Sequence, residues 1–569
     1  MAQRFDHDVI VVGSGFGGSV SALRLTEKGY DVLVLERGRR WTRDDFPRTN
    51  WNLRRALWLP ALKCFGTLRL TLLSDVFVLS GSGVGGGSLV YANTLYVPPD
   101  TFFEAPQWRT MADWKSVLMP HYRVAQFMLG VTQNRFEGEP DRVLRAVASD
   151  LGRGETYVTT PVGVYFGAPG VTVDDPYFDG AGPPRAGCNH CGACMVGCRF
   201  GAKNTLDQNY LYFAEKLGAK VTPMRTVTDV RALPHGGYAV THERSGAWFF
   251  RDRRVTTAAR VVLSAGVLGT LKLLLESRDR GSLPHVSEAL GRTVRTNSEA
   301  ILLVVASPRE ESWARGIAIT SSVHPDDKTH VEVVRYNEGS DALHLLATTL
   351  TDGGGGAPRW WRWIAQNLRH PATFLKSLWP FGKARRGVFL LVMQTLDNSI
   401  ALRLRRSWRT LWRRALDSDR GDGTPNPSYI PLANAFARAF AKRVGGIAYS
   451  SIPEVLLDTP TTAHILGGAA IGPSPAEGVI DQRHEVYGHP GLYVCDGSAV
   501  PANLGVNPSL TITALTEHAM SYIPVKEGAT QRYAVDPAYQ ARRVAELEAL
   551  AAATGNPSLQ RKTLPVLES

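Results

Sequence analysis

Short apolar runs bounded by polar residues recur along this chain, and their lengths sort them into strands and helices. Asp8-Val-Ile-Val-Val12 has the length and purity of a parallel strand buried on both faces. It runs straight into Gly13-Ser-Gly15-Phe-Gly-Gly18. From Ser19 the spacing turns helical, with Val20, Leu23 and Leu25 apolar and Gly29 as a stop. Asp31-Val-Leu-Val-Leu35 is a second buried strand, and it ends on Glu36. Strand, glycine loop, helix, strand and acid in this order make a dinucleotide site. Gly13 permits the tight turn, Gly15 lets a pyrophosphate approach the backbone, and Gly18 lets helix and strand pack closely. The helix N-terminus offers free N–H groups to the phosphates. Glu36 suits a ribose and disfavours a 2′-phosphate, so FAD or NAD fits better than NADP. The alternative is an ordinary glycine-rich turn.

The pattern continues. Ser80 to Ser88 holds five glycines, as backbone lying against a flat or phosphorylated ligand would require. Leu89 to Val97 reads as strand, and Pro98 to Gly130 as helix with Trp108, Trp114 and His121 exposed or half-buried. Asn204 to Leu217 reads as helix, Lys220 to Arg231 as strand, and Val261 to Val267 as a strand followed by the helix Thr270–Glu276. Residues 38–72, rich in Arg, Trp and Leu, read as an inserted cap. Between 300 and 455 strand-like stretches (Ala300–Ala306, Val331–Tyr336, Val388–Gln394) alternate with aromatic and basic loops, which suits a second, sheet-based domain. Gln540 to Ala553 reads as a surface helix. The predicted fold class is α/β: a Rossmann-type nucleotide domain with a second α+β domain on an antiparallel sheet.

Composition changes this picture in two places. Four of the 6 cysteines lie at Cys188, Cys191, Cys194 and Cys198. The spacing C-x2-C-x2-C-x3-C is that of ferredoxins and predicts an iron–sulfur cluster, [4Fe-4S] or [3Fe-4S], rather than zinc. Arg199 stands where a ferredoxin has proline, and unligated thiols are the alternative. Such cysteine use suits a reducing cytoplasm. The net charge of +12 and pI of about 9.4 suggest an anionic partner surface. Pro358 to Arg386 contains Trp360, Trp361, Trp363 and Trp379 among basic residues and no acid, and Arg403 to Arg414 repeats the texture with Trp408 and Trp412. Tryptophan between cations suits a lipid headgroup layer at the inner face of the cell membrane; the bland reading is domain core with a solvated basic face. No nucleic-acid recognition motif stands out. No apolar run reaches a membrane span, and no signal peptide precedes the first strand.

The C-terminal part carries a family resemblance. Asp481 to Pro501, with Cys495-Asp496-Gly497, and Gly505-Val-Asn507-Pro508 through Met520 resemble the closing segment of the glucose–methanol–choline (GMC) oxidoreductases. His464-Ile-Leu-Gly-Gly468 resembles their His-Pro-Leu-Gly-Gly motif, and Gly83 to Tyr96 their second flavin loop. Within the family the chain is most similar to the cholesterol-oxidase-like branch of mycobacterial type. Ile465 and Ala469 depart from the family's proline and cysteine, and neither removes a reacting group.

The resemblance implies FAD, in a domain built from residues 1–100, 200–299 and 456–524. It further implies a cap with the cysteine segment at 101–199, a substrate domain at 300–455 and a tail from 525. Gly13, Gly15 and Glu36 would hold the pyrophosphate and ribose, and Val227 would pack near adenine. Gly83, Gly86, Gly87, Ser88 and Asn93 would line the flavin side; Asp496 and Gly497 would meet the pyrophosphate or ribityl chain, and Asn507 and Pro508 the isoalloxazine. His464 and Asn507 match the pair that positions the substrate hydroxyl while hydride leaves for flavin N5. Glu332 matches the carboxylate that moves a proton from C4 to C6 of a Δ5-steroid. A glutamate on an apolar strand is costly to bury without such a use; an ion pair with Arg335 or Arg315 is the other reading. The implied activity is oxidation of a 3β-hydroxysteroid or similar lipophilic alcohol, with electrons passing to O2 or through a cluster to a redox partner protein. A Δ5-isomerase and a non-enzymatic lipid-binding or electron-transfer flavoprotein are the alternatives.

Overall fold

The computed structural model of the protein describes residues 4–407, 410, 412–421 and 423–554. Trp408 lies outside the described residues.

The first two predicted strands and the glycine loop between them form as read. His7–Val12 lies parallel to Val32–Leu35 on one side and to Arg254–Leu263 on the other. Lys220–Thr222 extends the sheet beyond Val32–Leu35, and Leu492–Val494 pairs parallel with Val261–Leu263. An antiparallel hairpin, Arg225–Ala232 and Tyr238–Arg244, is attached to the first half of Arg254–Leu263. The helix Phe16–Glu27 connects the first two strands, and Ser509–Ser521 packs against it. The single strand expected over Lys220–Arg231 is therefore two. Pro223 and the left-handed Met224 (φ 59°) break it, and its halves join opposite edges of the sheet.

The second sheet is antiparallel throughout. Its order is Ala347–Thr349, Ile447–Ser451, Ala300–Val305, Gly387–Gln394, Thr329–Val334, Ile319–Val323 and Val158–Thr159. Strand alternation divides its side chains between two faces. Leu302, Val304, Val331, Val333 and Leu390 face a core shared with Phe436 and Phe440 of the helix Pro431–Arg443. The intervening residues, among them Ile301, Val334, Phe389 and Leu391, face the nucleotide domain. Glu332 shares that second parity.

Two other expectations fail for packing reasons. Leu89–Val97 is not a strand: residues 86–89 form a tight turn, and the run beyond it has no strand partner, only an isolated bridge at Thr94. Trp108 and Trp114 are fully buried, stacked at 4.5 Å beneath the helix Trp114–Met128. The helix read over Asn204–Leu217 shortens to Tyr210–Lys216, while Pro537–Thr554 is helical as expected.

Candidate active site

The glycine loop shows why each of its positions is glycine. Gly13 has φ +98°, and a Cβ there would lie 2.2 Å from the Ser264 carbonyl oxygen. A Cβ on Gly18 would lie 2.0 Å from the Gly13 carbonyl oxygen, so helix and strand could not approach as they do. In front of Gly15 nothing stands within 4 Å. That open space belongs to a cavity of about 730 Å³, within the range of roughly 300–1,000 Å³ that ligand sites occupy. Glu36 reaches it from the end of the second strand. Its carboxylate accepts the Ser14 N–H (3.0 Å), the Ser14 hydroxyl (2.7 Å) and the Gly38 N–H (2.7 Å). A carboxylate has about four acceptor sites, so one remains for a ribose hydroxyl.

The second glycine run crosses the first. A Cβ on Gly86 would lie 2.5 Å from the Gly15 Cα, so the two loops touch backbone to backbone. Gly86 and Gly87 line the cavity. Gly83 and Ser88, expected on the flavin side, shape the turn from behind instead. Gly83 (φ +138°) packs beside Leu89 and Trp41, and the Ser88 hydroxyl donates to the Gly85 carbonyl and accepts the Leu206 N–H. Asn93 is buried in a left-handed conformation, and its amide oxygen lacks a partner. Val227, Asp496, Gly497 and Pro508 line the cavity. A cradle of glycine backbone, an acid for the ribose and the unpartnered Asn507 amide oxygen on the cavity wall fit a flavin dinucleotide.

The far end of the cavity holds His464 and Asn507. Their relative position is fixed by a turn that the sequence reading passed over. Asn297 and Ser298 are both left-handed (φ 61° and 46°), a strained pair in residues other than glycine. The Asn297 amide donates to the Val506 carbonyl (3.0 Å) and accepts the Gly505 N–H (2.8 Å), which ties this turn to the Gly505–Pro508 segment. The strained turn delivers Glu299, whose side chain is fully buried. One Glu299 oxygen accepts the Ala463 N–H (2.7 Å), and the other meets His464 Nδ1 in a close pair. With Nδ1–H donated to Glu299, Nε2 is left as the acceptor facing Asn507, whose Nδ2 lies at 3.5 Å. Burial works against the charged imidazole, but the Glu299 charge and hydrogen bond outweigh it and raise His464 above the ordinary histidine range.

Asn507 Nδ2 also donates to Glu332 (3.2 Å). Glu332 is fully buried, and its other oxygen has no partner. Burial raises its carboxyl to about 7, against the lowering effects of the Asn507 hydrogen bond and the His464 charge. Neither Arg315 nor Arg335 pairs with it: Arg335 bonds Asp141 instead. Glu332 stands behind Asn507 rather than on the cavity wall. The wall leading to this group is apolar, with Phe77, Leu79, Ile301, Leu303, Val334 and Phe389 along it.

The cysteine segment adjoins the site. Met195 and Val196 line the cavity, and the buried Lys203 ammonium donates to the Leu89, Tyr91 and Cys194 carbonyls. Cys188, Cys194 and Cys198 share a small apolar cluster, and burial keeps Cys188, Cys191 and Cys194 as thiols by raising each of them. Among the described residues no three His, Cys, Asp or Glu side chains are placed to hold a metal ion. The expected iron–sulfur cluster thus finds no support in this arrangement.

Comparison with known proteins agrees with the geometry. Sequence models of the GMC oxidoreductases match residues 184–292 and 437–516, and a model of NAD(P)-binding Rossmann-like domains matches residues 11–42. A cholesterol oxidase of Mycobacterium tuberculosis is 50% identical over 539 residues, covering 93% of this chain and 92% of that protein. A cholesterol oxidase of Acinetobacter baumannii is 46% identical, covering 92% of this chain and 95% of that protein. Among solved structures, the pyridoxine 4-oxidase of Mesorbium loti superposes with a TM-score of 0.60 at 14% identity, over 90% of this chain and 98% of that one; at that identity the likeness is one of fold.

Proposed function

The chain belongs to the GMC oxidoreductase family, and on that premise we propose that it oxidises the 3β-hydroxyl of a sterol to the ketone. The observation that carries the reading is the apolar cavity ending on His464 Nε2, with Glu299 buried behind Nδ1. A rigid apolar ring system suits those walls, and its one polar group would meet His464 and Asn507. The two cholesterol oxidases at 46–50% identity support the sterol and O2 as electron acceptor.

FAD, held by Gly13, Gly15, Glu36, Gly86 and Asp496, supplies the hydride acceptor when bound. The chain's own residues do the rest. His464 Nε2 takes the hydroxyl proton as the carbinol carbon gives up its hydride. Glu299 holds the tautomer that leaves Nε2 free and stabilises the imidazolium that forms. The Asn507 amide orients the substrate oxygen. The apolar wall excludes water, which strengthens each of these interactions. Glu332, ionised above about pH 7, would reach a Δ5-ketone only past the Asn507 side chain it accepts from, and there carry the proton from C4 to C6. No electron step is assigned to the cysteine segment. A passive lipid carrier would have no use for a strained turn that presents a buried carboxylate to a histidine.

Oxygen uptake during sterol turnover tests the proposal. Uptake should match the ketone formed. Isomerisation of a Δ5-3-ketone without any oxygen uptake from the sterol would replace it with the isomerase reading.

A further inference from the structure

A base that cycles between two protonation states needs a path for its proton, and Glu332 lies fully buried behind Asn507. The apolar cavity beyond Asn507 offers no such path once a ligand fills it. The polar neighbours of Glu332 lie along its own strand and the next one. Ser322 stands opposite it across the pairing of Ile319–Val323 with Thr329–Val334, and the apolar Leu391 stands opposite it on the other side. The Ser322 hydroxyl meets the Tyr96 hydroxyl at 2.7 Å. Burial, and then the nearby Glu332 charge, raise that Tyr96 hydroxyl. His330 precedes Glu332 by two residues, so its side chain shares the same face, about 7 Å away along the strand.

His330 has no part in the site described so far. It is 2% exposed, yet among the described residues neither of its ring nitrogens makes a hydrogen bond. The Gly505 carbonyl lies only near enough to favour the charged ring somewhat. The His330 ring stands perpendicular to Tyr96 at 5.2 Å and stacks on His324 at 4.6 Å, with 8° between the planes. The Glu332 oxygen that Asn507 leaves free also has no partner. Three unpartnered polar atoms on one buried face call for ordered water between them, since buried polar groups are ordinarily satisfied.

Besides Glu332 and Tyr96 on its face, His324 and His464 are the titratable groups that bear on His330. Burial, and then His324, hold it well below the ordinary histidine range. It is therefore neutral, with one N–H to give and one nitrogen to receive. His324 leads outward. It is half-buried, its N–H donates to the Thr156 hydroxyl, and its carbonyl accepts from Arg153. Arg153 and Asp326 are the charges that bear on it, and Asp326, Asp327 and Lys328 beside it are exposed.

We propose that Glu332 exchanges its proton with solvent through the Tyr96 and Ser322 hydroxyls, His330 and His324. The proton leaves the Glu332 carboxyl and enters one nitrogen of a neutral ring as the other nitrogen gives up its own. It emerges at His324, and a proton returns by the same steps in reverse. The N–H bonds of stacked rings lie in parallel planes, so water at their common edge carries the proton between them. Only a proton moves, and no other reactant is consumed. The use of Glu332 in isomerisation rests on the proposed function; the route itself does not.

Infrared spectroscopy of the flavin-loaded protein reads the route without substrate. Below about pH 7 Glu332 carries its proton, and the difference against Glu332→Gln isolates its carboxyl band. Transfer into D2O shifts that band as the proton exchanges. Exchange should be at least about tenfold slower in His330→Phe and in His324→Phe, which keep a ring and lose its nitrogens. His324→Phe, at the half-buried end, keeps the test available should the buried substitution fail to fold. The Glu454 carboxyl, raised by burial to about 8, gives a second protonated band off this route, and its exchange should be the same in all three proteins. Unchanged Glu332 exchange in either variant would overturn the route. So would equal slowing of both bands, which reports a stiffer fold. Slowed Glu332 exchange in a protein that never isomerises a Δ5-ketone would leave the route standing and count against the use proposed for Glu332.

Discussion

Gly13, Gly15 and Gly18 sit within one turn of chain, and each answers to a close backbone approach: Gly13 to Ser264, Gly15 to the Gly86 loop and Gly18 to Gly13. At the other end of the same cavity, His464 meets Glu299 across 165 residues and Asn507 meets Glu332 across 175. The first region needs particular backbone shapes, and those leave a fixed spacing of glycines in the sequence. The second needs particular side chains brought together by tertiary register, and register leaves no local trace. The two regions should therefore fail differently when altered: one by losing the cofactor, the other by losing the chemistry.

The sharpest separation is His464→Gln. Turnover should fall by roughly 10²- to 10⁴-fold, the usual worth of a general base, while flavin content, read from absorbance, stays at the wild-type level. If flavin is lost together with activity, the two regions are not separable as described. In the other direction, Gly18→Val places a side chain against the Gly13 carbonyl. Flavin content and melting temperature should both fall, with activity tracking the flavin that remains.

A subtler break is Glu299→Gln. The amide still accepts the Nδ1–H but no longer supplies the charge that raises His464. His464 is a base only when unprotonated, so wild-type kcat/KM falls as pH drops through its raised pKa. In the variant that acidic limb should move to lower pH, and the plateau should fall by roughly 10- to 100-fold. A lowered plateau with an unmoved limb would make Glu299 a packing residue. Smallest in its effect on oxidation is Glu332→Gln. Ketone formation should stay within about threefold of wild type, and the Δ5-ketone should accumulate unisomerised. In the wild type, isomerisation should rise with pH through about 7, as burial leaves the Glu332 carboxyl ionised only above that point.

The same division explains what the sequence made legible. The nucleotide loop, its flanking strands and three of the seven strands of the second sheet were readable, because each is a local apolar run; the four others are short or polar and gave no such pattern. His464, Asn507 and Glu332 were found through the resemblance and not through periodicity. Glu299 was missed. It follows Asn297-Ser298, which reads as a polar loop, and only the left-handed backbone at both positions shows that the turn presents a carboxylate inward. An acid at the threshold of a buried apolar strand was the available signal. Trp108 and Trp114 were misjudged because their indole N–H groups find carbonyls of Phe102 and Trp108 within the same segment, so burial costs them no hydrogen bond. In the cysteine segment the ferredoxin-like intervals are present, but Cys188, Cys194 and Cys198 lie against Val162, Val164 and Ile317, and among the described residues no three side chains are placed to hold a metal ion.

The central claim is that a sterol hydroxyl reaches His464 at the end of the apolar cavity and gives up its hydride there. Anaerobic titration of the flavin-loaded protein with cholesterol measures this in one step, free of any electron acceptor. Wild-type protein should lose its visible flavin absorbance in proportion to the sterol added, forming an equal amount of ketone, and His464→Gln should keep its absorbance over the same time. Wild-type flavin left unbleached by excess sterol, or bleached equally fast without His464, would contradict it.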